Sequence, residues 1–238
     1  MCGRFTLSQT AEAIYQTFHV NKIPDVEAQY NIAPTQMVAA VLYNPESKQR
    51  EFQKLRWGLI PSWAKDLGMG AKLINARAET AAEKPAFRSA FKHRRCLIVA
   101  DGFYEWQTKE GKKQPYYFHL QERKPFAFAG LWEQWRLPSP NGDATRTGRE
   151  ARSPQGEEIT SCTILTTKCN ELLQPIHERM PVILQQQDYS LWLDPQVQTP
   201  EPLQQLLQPY PSEAMMAYPV STVVNSPRHN SPDCIKPL

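Results

Sequence analysis

The sequence predicts an α+β fold that consists mainly of antiparallel β-sheet with few helices, in one domain over residues 1–238. Two observations support this prediction. Short segments of alternating or β-branched composition recur along the chain, and turn residues such as Asn, Gly and Pro separate them. The 238 residues include 21 prolines and 10 glycines, which indicates many short elements and rigid turns around a single core.

The alternation of apolar and polar residues predicts a series of strands. These span residues 37–43, 51–59, 96–100, 103–106, 116–120, 126–130, 162–167, 182–184 and 220–224. Hairpin turns are predicted at residues 44–46 and 109–113, which are rich in Asn, Pro, Gly and charged residues. Residues 30–35 are predicted to form a further turn, because Asn, Pro and Thr lie close together there.

Helical periodicity is limited to a few segments. Ser8 is predicted to cap a helix that ends near residue 18. Residues 79–95 are predicted to be helical with a break at Pro85. Short helices are also predicted over residues 188–193 and from Pro200, which suits a first helical position.

Composition indicates a soluble globular protein, with 41% hydrophobic and 21% charged residues. No apolar run reaches the roughly 18 residues of a membrane span, and the amino terminus lacks a signal-peptide pattern. We therefore expect a cytoplasmic protein with no membrane partner. Residues 137–158 are dominated by Pro, Gly, Ser and mixed charge, and we expect them to form an exposed, mobile insertion.

The cysteines argue against disulfides and zinc. There are five, an odd number, at widely spaced positions, and no C-x-x-C occurs. This pattern is typical of a reducing compartment. The sequence also has no P-loop and no complete G-x-G-x-x-G. We expect neither a metal nor a nucleotide cofactor.

Positive charge is concentrated in residues 50–100. This segment has eleven Lys and Arg against four Asp and Glu, a local net charge of +7, whereas the whole chain has a net charge of +3. A basic segment on a nearly neutral protein suggests a local anionic partner such as a phosphate backbone. The alternative is a solvated helix face around residues 77–95.

The amino terminus, Met1-Cys2-Gly3-Arg4, suggests covalent chemistry. Cys2 is small enough for Met1 to be removed, which would leave an α-amine and a thiol on one residue. Such an aminothiol condenses with an aldehyde to an imine and then closes a five-membered thiazolidine ring. The α-amine has a reference pKa near ~8, so part of it is neutral at pH 7. The alternative is a cysteine that follows Met1 by chance.

Several other side chains suit catalysis or nucleic-acid binding. Glu105 lies between aromatic residues; burial would raise its pKa and suit it to acid/base work, whereas a solvent-facing orientation would not. His177 lies beside charges in a proline-bracketed loop, a setting that favours proton transfer. Trp63, beside cations, could stack on bases or belong to the core. Asn75 and Arg77 would share one face of an extended segment.

Six separated motifs together resemble the SRAP (SOS response-associated peptidase) family. They are residues 1–6, the 31–35 turn, Trp57-Gly58, the Asn75-Ala76-Arg77-Ala78-Glu79-Thr80 segment, Asp101-Gly102-Phe103-Tyr104-Glu105-Trp106, and Ile176-His177-Glu178-Arg179-Met180-Pro181. The resemblance covers residue 2 to the Val-Asn-Ser-Pro tail. It implies a single domain of curved, barrel-like, mostly antiparallel sheet, with flanking helices and a basic cleft.

The family resemblance also implies a function, a sensor that crosslinks to abasic sites in single-stranded DNA. Cys2 would form the thiazolidine, Asn75 would fix its approach, Glu105 would act as general acid/base, and His177 would shuttle a proton to the sugar oxygen. Removal of Met1 would be autocatalytic. The DNA-binding residues would be Gly3, Arg4, Asn31, Pro34, Trp63, Arg77, Thr166 and Arg179. We expect a monomer, associated with the nucleoid if the source is bacterial, with no cofactor.

Two other functions remain possible on sequence grounds. An amidohydrolase of the glutaminase type, with an amino-terminal cysteine nucleophile, also begins Met-Cys-Gly. There, however, an apolar residue follows where this chain has Arg4, and a basic segment would have no use. The other alternative is a single-stranded DNA-binding module without covalent chemistry.

Overall fold

A computed structural model describes residues 2–136 and 158–238, and strands predominate within those ranges. In chain order the strands are β1 (Phe5–Leu7), β2 (Gln29–Ile32), β3 (Met37–Asn44), β4 (Gln49–Trp57), β5 (Asn75–Arg77), β6 (Arg95–Ala100), β7 (Gly102–Lys109), β8 (Lys112–Leu120), β9 (Phe126–Arg136), β10 (Glu158–Lys168), β11 (Arg179–Pro181), β12 (Ile183–Leu184) and β13 (Met215–Pro219). Apart from Glu158, the expected mobile insertion at 137–158 lies outside the described residues.

The helices are few and short, namely α1 (Ala11–Phe18), α2 (Ala78–Ala81), α3 (Arg88–His93), α4 (Tyr189–Leu193) and α5 (Pro200–Gln204). Their number and length agree with the predicted α+β class, in which sheet dominates. No helix in the described parts of the chain is both long enough and apolar enough to cross a lipid bilayer.

Five strands close into a barrel. The hydrogen-bonded order is β10-β4-β3-β6-β9, and β9 pairs again with β10. Every pairing in this ring is antiparallel except β4 with β10, which run parallel. Closure removes the free edges that an open sheet would expose. The expected barrel-like, mostly antiparallel sheet is therefore confirmed.

A second, five-stranded antiparallel sheet has the order β13-β8-β7-β1-β2, so β1 is an interior strand. Phe5 lies opposite Phe103 on one side and Ile32 on the other. Its ring makes edge contacts with Trp57 and Phe128, whose strands belong to the barrel. These contacts join the two sheets and fix the chain immediately after Cys2.

The buried carboxylate of Asp101 holds the other end of β1. It accepts hydrogen bonds from the Thr6 hydroxyl, from the Ser8 backbone N–H at 2.7 Å and from the Ser8 hydroxyl at 2.6 Å. Thr6 also shares a hydrogen bond of 3.0 Å with the Tyr117 hydroxyl. Gly102 follows, and a Cβ there would lie 2.1 Å from that hydroxyl. Only glycine therefore fits between β1 and β8.

Local predictions failed where a distant partner intervened. Ser8 does not cap α1; Asp101 binds it instead, and Thr10 accepts the capping bond from the Ala13 N–H at 3.2 Å. The predicted turn at 30–35 is also too long, because residues 29–32 pair with β1.

The predicted strand at 220–224 is wrong. The chain forms β13 earlier, where five consecutive residues pair with β8, and Thr222–Asn225 is a 3-10 helix whose first turn is capped by the Ser221 hydroxyl.

The helical segment predicted at 79–95 with a break at Pro85 is two short helices, α2 and α3, which lie on either side of that proline. They end before Arg95, which lies in β6 instead. Arg95 is buried, and its guanidinium donates to five backbone carbonyls, those of Phe91, Lys92, Trp192, Asp194 and Val197.

Asp101→Asn should lower the free energy of unfolding by about 1–3 kcal/mol, because an amide nitrogen cannot accept one of the buried hydrogen bonds. Denaturant titration would measure the change. Asp66→Asn is the matched control, since Asp66 is exposed and accepts a single bond from the Gly68 N–H. An equal, small loss for both variants would contradict the role of Asp101.

Candidate active site

Cys2 is fully buried immediately before β1. Its thiol points to the Arg4 carbonyl at 3.7 Å, and the Tyr104 N–H donates to the same carbonyl at 3.0 Å. Burial, together with the negative charge of Glu105, raises the pKa of the Cys2 thiol far above its usual range. The thiol is therefore neutral at pH 7, and a nearby base must accept its proton before it can react.

Asn75 holds the backbone of Cys2. It is the first residue of β5, which pairs in parallel with β10, and its Nδ2 donates to the Cys2 carbonyl at 2.8 Å. The Trp57 indole N–H donates to the Ile74 carbonyl at 2.8 Å, which fixes the preceding residue. Asn75 Oδ1 is buried and has no hydrogen-bond partner among residues 2–136 and 158–238. The amide thus offers an acceptor inside the site.

Glu105 lies on β7 and is only 3% exposed, so the interior orientation is confirmed. Burial raises the pKa of its carboxyl to about 7. At neutral pH the acid and carboxylate forms are both well populated. A group in that state can donate a proton in one step and accept one in the next. The charge of Glu105 contributes to the raised pKa of the Cys2 thiol, so the two groups are close enough to interact electrostatically.

His177 lies in the loop that precedes β11, where it is half-buried. In the neutral ring with its proton on Nε2, Nδ1 accepts the Arg179 backbone N–H at 2.9 Å. Nδ1 also lies 3.1 Å from the Arg179 carbonyl, to which the other tautomer would donate. Burial lowers the pKa of the imidazole, which favours this neutral form at pH 7. His177 and Glu105 line one pocket of about 460 Å³ together with Trp106, Thr108, Lys113 and Asn225.

A second pocket, of about 490 Å³, adjoins Asn75 and is mostly apolar. It is also lined by Trp63 and Arg77, with Lys84 and Phe87 among the other residues. Trp63 is 58% exposed and so does not belong to the core, in contrast to the fully buried Trp57. An exposed aromatic ring beside two cations suits the stacking of an unpaired base.

Arg4 and Asn31, both predicted DNA-binding residues, also hold the carboxyl-terminal segment. Arg4 donates to the Val224 carbonyl and to Asn31 Oδ1, each at 2.8 Å, and to the Asn225 carbonyl at 3.2 Å. The buried Asn31 donates to three backbone carbonyls, those of Val224, Ser226 and His229. These contacts place Asn225 in the pocket with Glu105.

Arg179 and Thr166 lie together beside β5. Arg179 forms two hydrogen bonds to the Glu79 carboxylate and one to the Thr166 carbonyl. Thr166 is buried and opposes Arg77 in the parallel ladder. Gly3 is half-buried next to Cys2, whereas Pro34 is half-buried in the turn after β2 and lines neither pocket. The DNA contacts expected of these residues stay predictions.

The structure uses part of the basic segment internally. Arg95 is buried, Arg94 pairs with Glu133 at 2.7 Å, and Arg50 donates to the Phe18 carbonyl. Arg77 and Lys84, in contrast, are exposed cations of this segment and line the apolar pocket beside Asn75. The described residues contain no group of three or more His, Cys, Asp or Glu side chains that could hold a metal ion.

The sequence profile described as SOS response associated peptidase (SRAP) matches residues 1–227. The chain belongs to the SRAP family. It is 45% identical over 240 residues to the Bacillus subtilis (strain 168) protein named abasic site processing protein YoqW, covering 99% of both chains. It is 35% identical over 213 residues to abasic site processing protein HMCES of Xenopus tropicalis, covering 80% of this chain and 58% of that protein.

A solved structure has the same fold as this SRAP-family chain. It is a crystal structure of a Bacteroides thetaiotaomicron protein, with a TM-score of 0.81, 26% sequence identity and full coverage of both chains. The agreement extends over the barrel and the second sheet together, so the arrangement that brings Cys2 to Asn75 belongs to a fold seen in crystals.

Sequence reasoning about this SRAP-family chain missed Asn225, Trp106 and Lys113 as lining residues of the pocket. Asn225 Oδ1 accepts the Trp106 indole N–H at 2.8 Å across 119 positions of sequence. Nothing local links the two residues. The one available signal was the Val-Asn-Ser-Pro tail, which includes Asn225 and is one end of the family resemblance.

Glu105→Gln should stabilise the protein at pH 8. The folded state raises the Glu105 pKa from 4.5 to about 7, so the folded form binds its proton more tightly than the unfolded chain. That stability is fully present below pH 4.5 and is lost as the pH rises through 7, a change of about 3 kcal/mol. Glutamine stays neutral and avoids this loss.

Denaturant titrations between pH 4 and pH 8 would test this prediction. The advantage of the variant should grow with pH across that range. Glu46→Gln, on the exposed β3–β4 hairpin, controls for the removal of one carboxylate. An advantage for Glu105→Gln that did not vary with pH would contradict the raised pKa.

Proposed function

We propose that this protein captures abasic sites in single-stranded DNA through Cys2, after removal of Met1. The observation that best supports the proposal is the position of Cys2. Asn75 holds its carbonyl at 2.8 Å, and it lies near a buried carboxyl whose pKa is about 7. The relatives named abasic site processing proteins support the substrate class.

The proposed reaction begins at the ring-opened sugar of the abasic site, which presents an aldehyde. The Cys2 amine adds to the aldehyde carbon to give a carbinolamine, and loss of water gives an imine. The thiol sulfur then adds to the imine carbon, and its proton passes to the nitrogen. The product is a thiazolidine that joins protein and DNA, with one water released overall. Serine would give an oxazolidine, which is much less stable.

Glu105 would act as the acid/base in these steps. Its protonated form can donate to the departing hydroxyl, and its carboxylate can accept the proton of the neutral thiol. The raised pKa means that neither form is rare at neutral pH. The same carboxyl would assist the autocatalytic removal of Met1, a thiol-peptidase step that precedes the lyase-type imine chemistry.

Asn75 and His177 would position the reactants and move protons. Asn75 Nδ2 is bound to the Cys2 carbonyl, and its buried Oδ1 has no hydrogen-bond partner in the described parts of the chain. An amine or a sugar hydroxyl could therefore donate to Oδ1. His177 would use Nε2 to donate a proton to the sugar oxygen, since Nδ1 is already bound to the backbone of Arg179. A proton delivered there would favour the open aldehyde form of the sugar.

The two pockets suggest how the strand would pass Cys2. The apolar pocket could take a base against Trp63, with Arg77 and Lys84 beside the backbone. The pocket lined by Glu105 and His177 would hold the sugar itself. A glutaminase-type amidohydrolase has less support, because an exposed tryptophan flanked by cations has no evident use in binding glutamine.

Cys2→Ser should abolish the crosslink. The protein that has Cys2 and has lost Met1, mixed with single-stranded DNA that contains an abasic site, should give a band of reduced mobility after denaturation. The variant should reduce the yield of this band at least about tenfold. Cys169→Ser is the matched thiol control, because Cys169 is half-buried in the loop after β10. An equal band from Cys2→Ser would contradict the mechanism, and glutamine hydrolysis without a band would favour the amidohydrolase.

Three variants should separate chemistry from binding. Glu105→Gln should slow crosslinking about 10- to 100-fold and remove a rate change near pH 7. His177→Ala should change the crosslinking rate more than the affinity for DNA, whereas Arg77→Ala should mainly weaken binding. Single-turnover rates and fluorescence anisotropy would measure the two quantities. The opposite pattern for His177 and Arg77 would show that their roles are exchanged.

A further inference from the structure

The guanidinium of Arg179 is already occupied by an anion of the protein itself. Nη1 donates to Glu79 Oε1 at 2.7 Å, and Nη2 donates to Glu79 Oε2 at 2.9 Å. Nη2 also donates to the Thr166 carbonyl at 2.6 Å. Nε is buried and has no acceptor in the part of the chain that the structure describes. A second anion could engage the end of the guanidinium in the same bidentate way only if the carboxylate left.

The exposed fractions of the two side chains in this ion pair show which of them can move. The Arg179 side chain is 12% exposed, whereas that of Glu79 is 49% exposed. The carboxylate therefore covers the arginine from the solvent side. The hydrogen bond from Arg179 is the main reason that the pKa of Glu79 is held below its usual range, so Glu79 stays ionised at neutral pH. A carboxylate and a phosphodiester present the same pair of oxygens to a guanidinium.

The ion pair lies at the border of the candidate active site. Glu79 is in the first turn of α2, two residues after Arg77, and β5 leads from Asn75 directly into that turn. Arg179 is two residues from His177 and donates its backbone N–H to the imidazole. A hollow of about 390 Å³, lined by Glu79, Lys168 and Leu207 among others, adjoins the pair.

We propose that Glu79 is a specificity-determining residue that occupies the phosphate position at Arg179 and must be displaced by a DNA backbone. This inference rests on the proposed function only in taking DNA as the partner. The free energy gained when a phosphate binds Arg179 is offset by the free energy lost when the Glu79–Arg179 ion pair breaks. Every strand therefore binds more weakly than it would to an unpaired Arg179. Undamaged DNA then dissociates readily, while an abasic site is retained by the covalent bond.

The test measures the binding of an undamaged single-stranded oligonucleotide by fluorescence anisotropy at low salt. Glu79→Gln should bind about fivefold more tightly than the unmodified protein, which is the effect of about one exposed ion pair. Arg179→Gln alone should change the affinity of the unmodified protein less than twofold. Added to Glu79→Gln, it should lower the affinity of that variant about fivefold. Glu83→Gln, an exposed carboxyl four residues further on, is the matched control and should have little effect.

Competition supplies the functional readout. Undamaged single-stranded DNA, added as a competitor to an abasic-site crosslinking reaction, should slow crosslinking by Glu79→Gln more than crosslinking by the unmodified protein. The reason is that the variant stays bound to the competitor for longer. A purely structural role for Glu79 would instead lower the thermal unfolding temperature and leave this competition unchanged. Arg179→Lys, which retains the positive charge but not the bidentate geometry, replaces Arg179→Gln if that variant unfolds.

The outcomes separate this inference from the proposed function. If Glu79→Gln binds the strand no more tightly than the unmodified protein does, the inference is wrong even when crosslinking is normal. The inference is also wrong if Glu79→Gln tightens binding by the same factor when Arg179 has been replaced. If the affinity gain depends on Arg179 but the unmodified protein forms no crosslink, the inference stands and the covalent function fails. Failure of Glu79→Gln to bind any strand contradicts the inference as well.

Discussion

The pairing of β1 between β7 and β2 is the constraint on which the candidate site depends. A strand of three residues has little stability by itself. Here Phe5 pairs on both sides and packs against Trp57 and Phe128, while the Asp101 carboxylate holds the residues that follow. Segments this close to the amino terminus fray in most proteins, whereas β1 is an interior strand of its sheet. As a result, the Cys2 carbonyl lies within hydrogen-bond distance of the Asn75 amide.

The same burial that positions Cys2 also sets the chemistry around it. Desolvation raises the pKa of the Cys2 thiol and of the Glu105 carboxyl, and lowers that of the His177 imidazole. All three shifts favour uncharged groups, so at neutral pH the thiol and the imidazole are mainly neutral and the Glu105 carboxyl is only partly ionised. The cations that would attract a phosphate backbone, such as Arg77 and Lys84, lie instead at the exposed rim.

Alternating strand patterns were predictable because they depend on nearest neighbours in the sequence. The β3–β4 hairpin, β6, β8 and α5 lie close to their predicted positions for this reason. Predictions that needed a distant partner failed. Ser8 binds Asp101 instead of capping α1, and residues 215–219, not 220–224, pair with β8. Arg95 is a buried hydrogen-bond centre, although its sequence neighbours suggested a basic surface.

The sequence alone determined the predominance of antiparallel strands and identified Cys2, Glu105 and His177 as candidates for catalysis, because residue chemistry and periodicity are local properties. Only the tertiary structure decided that Asn75 donates a hydrogen bond to the Cys2 carbonyl across 73 positions and that the Glu105 pKa is about 7. It also decided that Glu79 pairs with Arg179 across 100 positions. Hydrogen-bond partners and desolvation depend on which chain segments meet, and that information exists only once the two sheets have packed together.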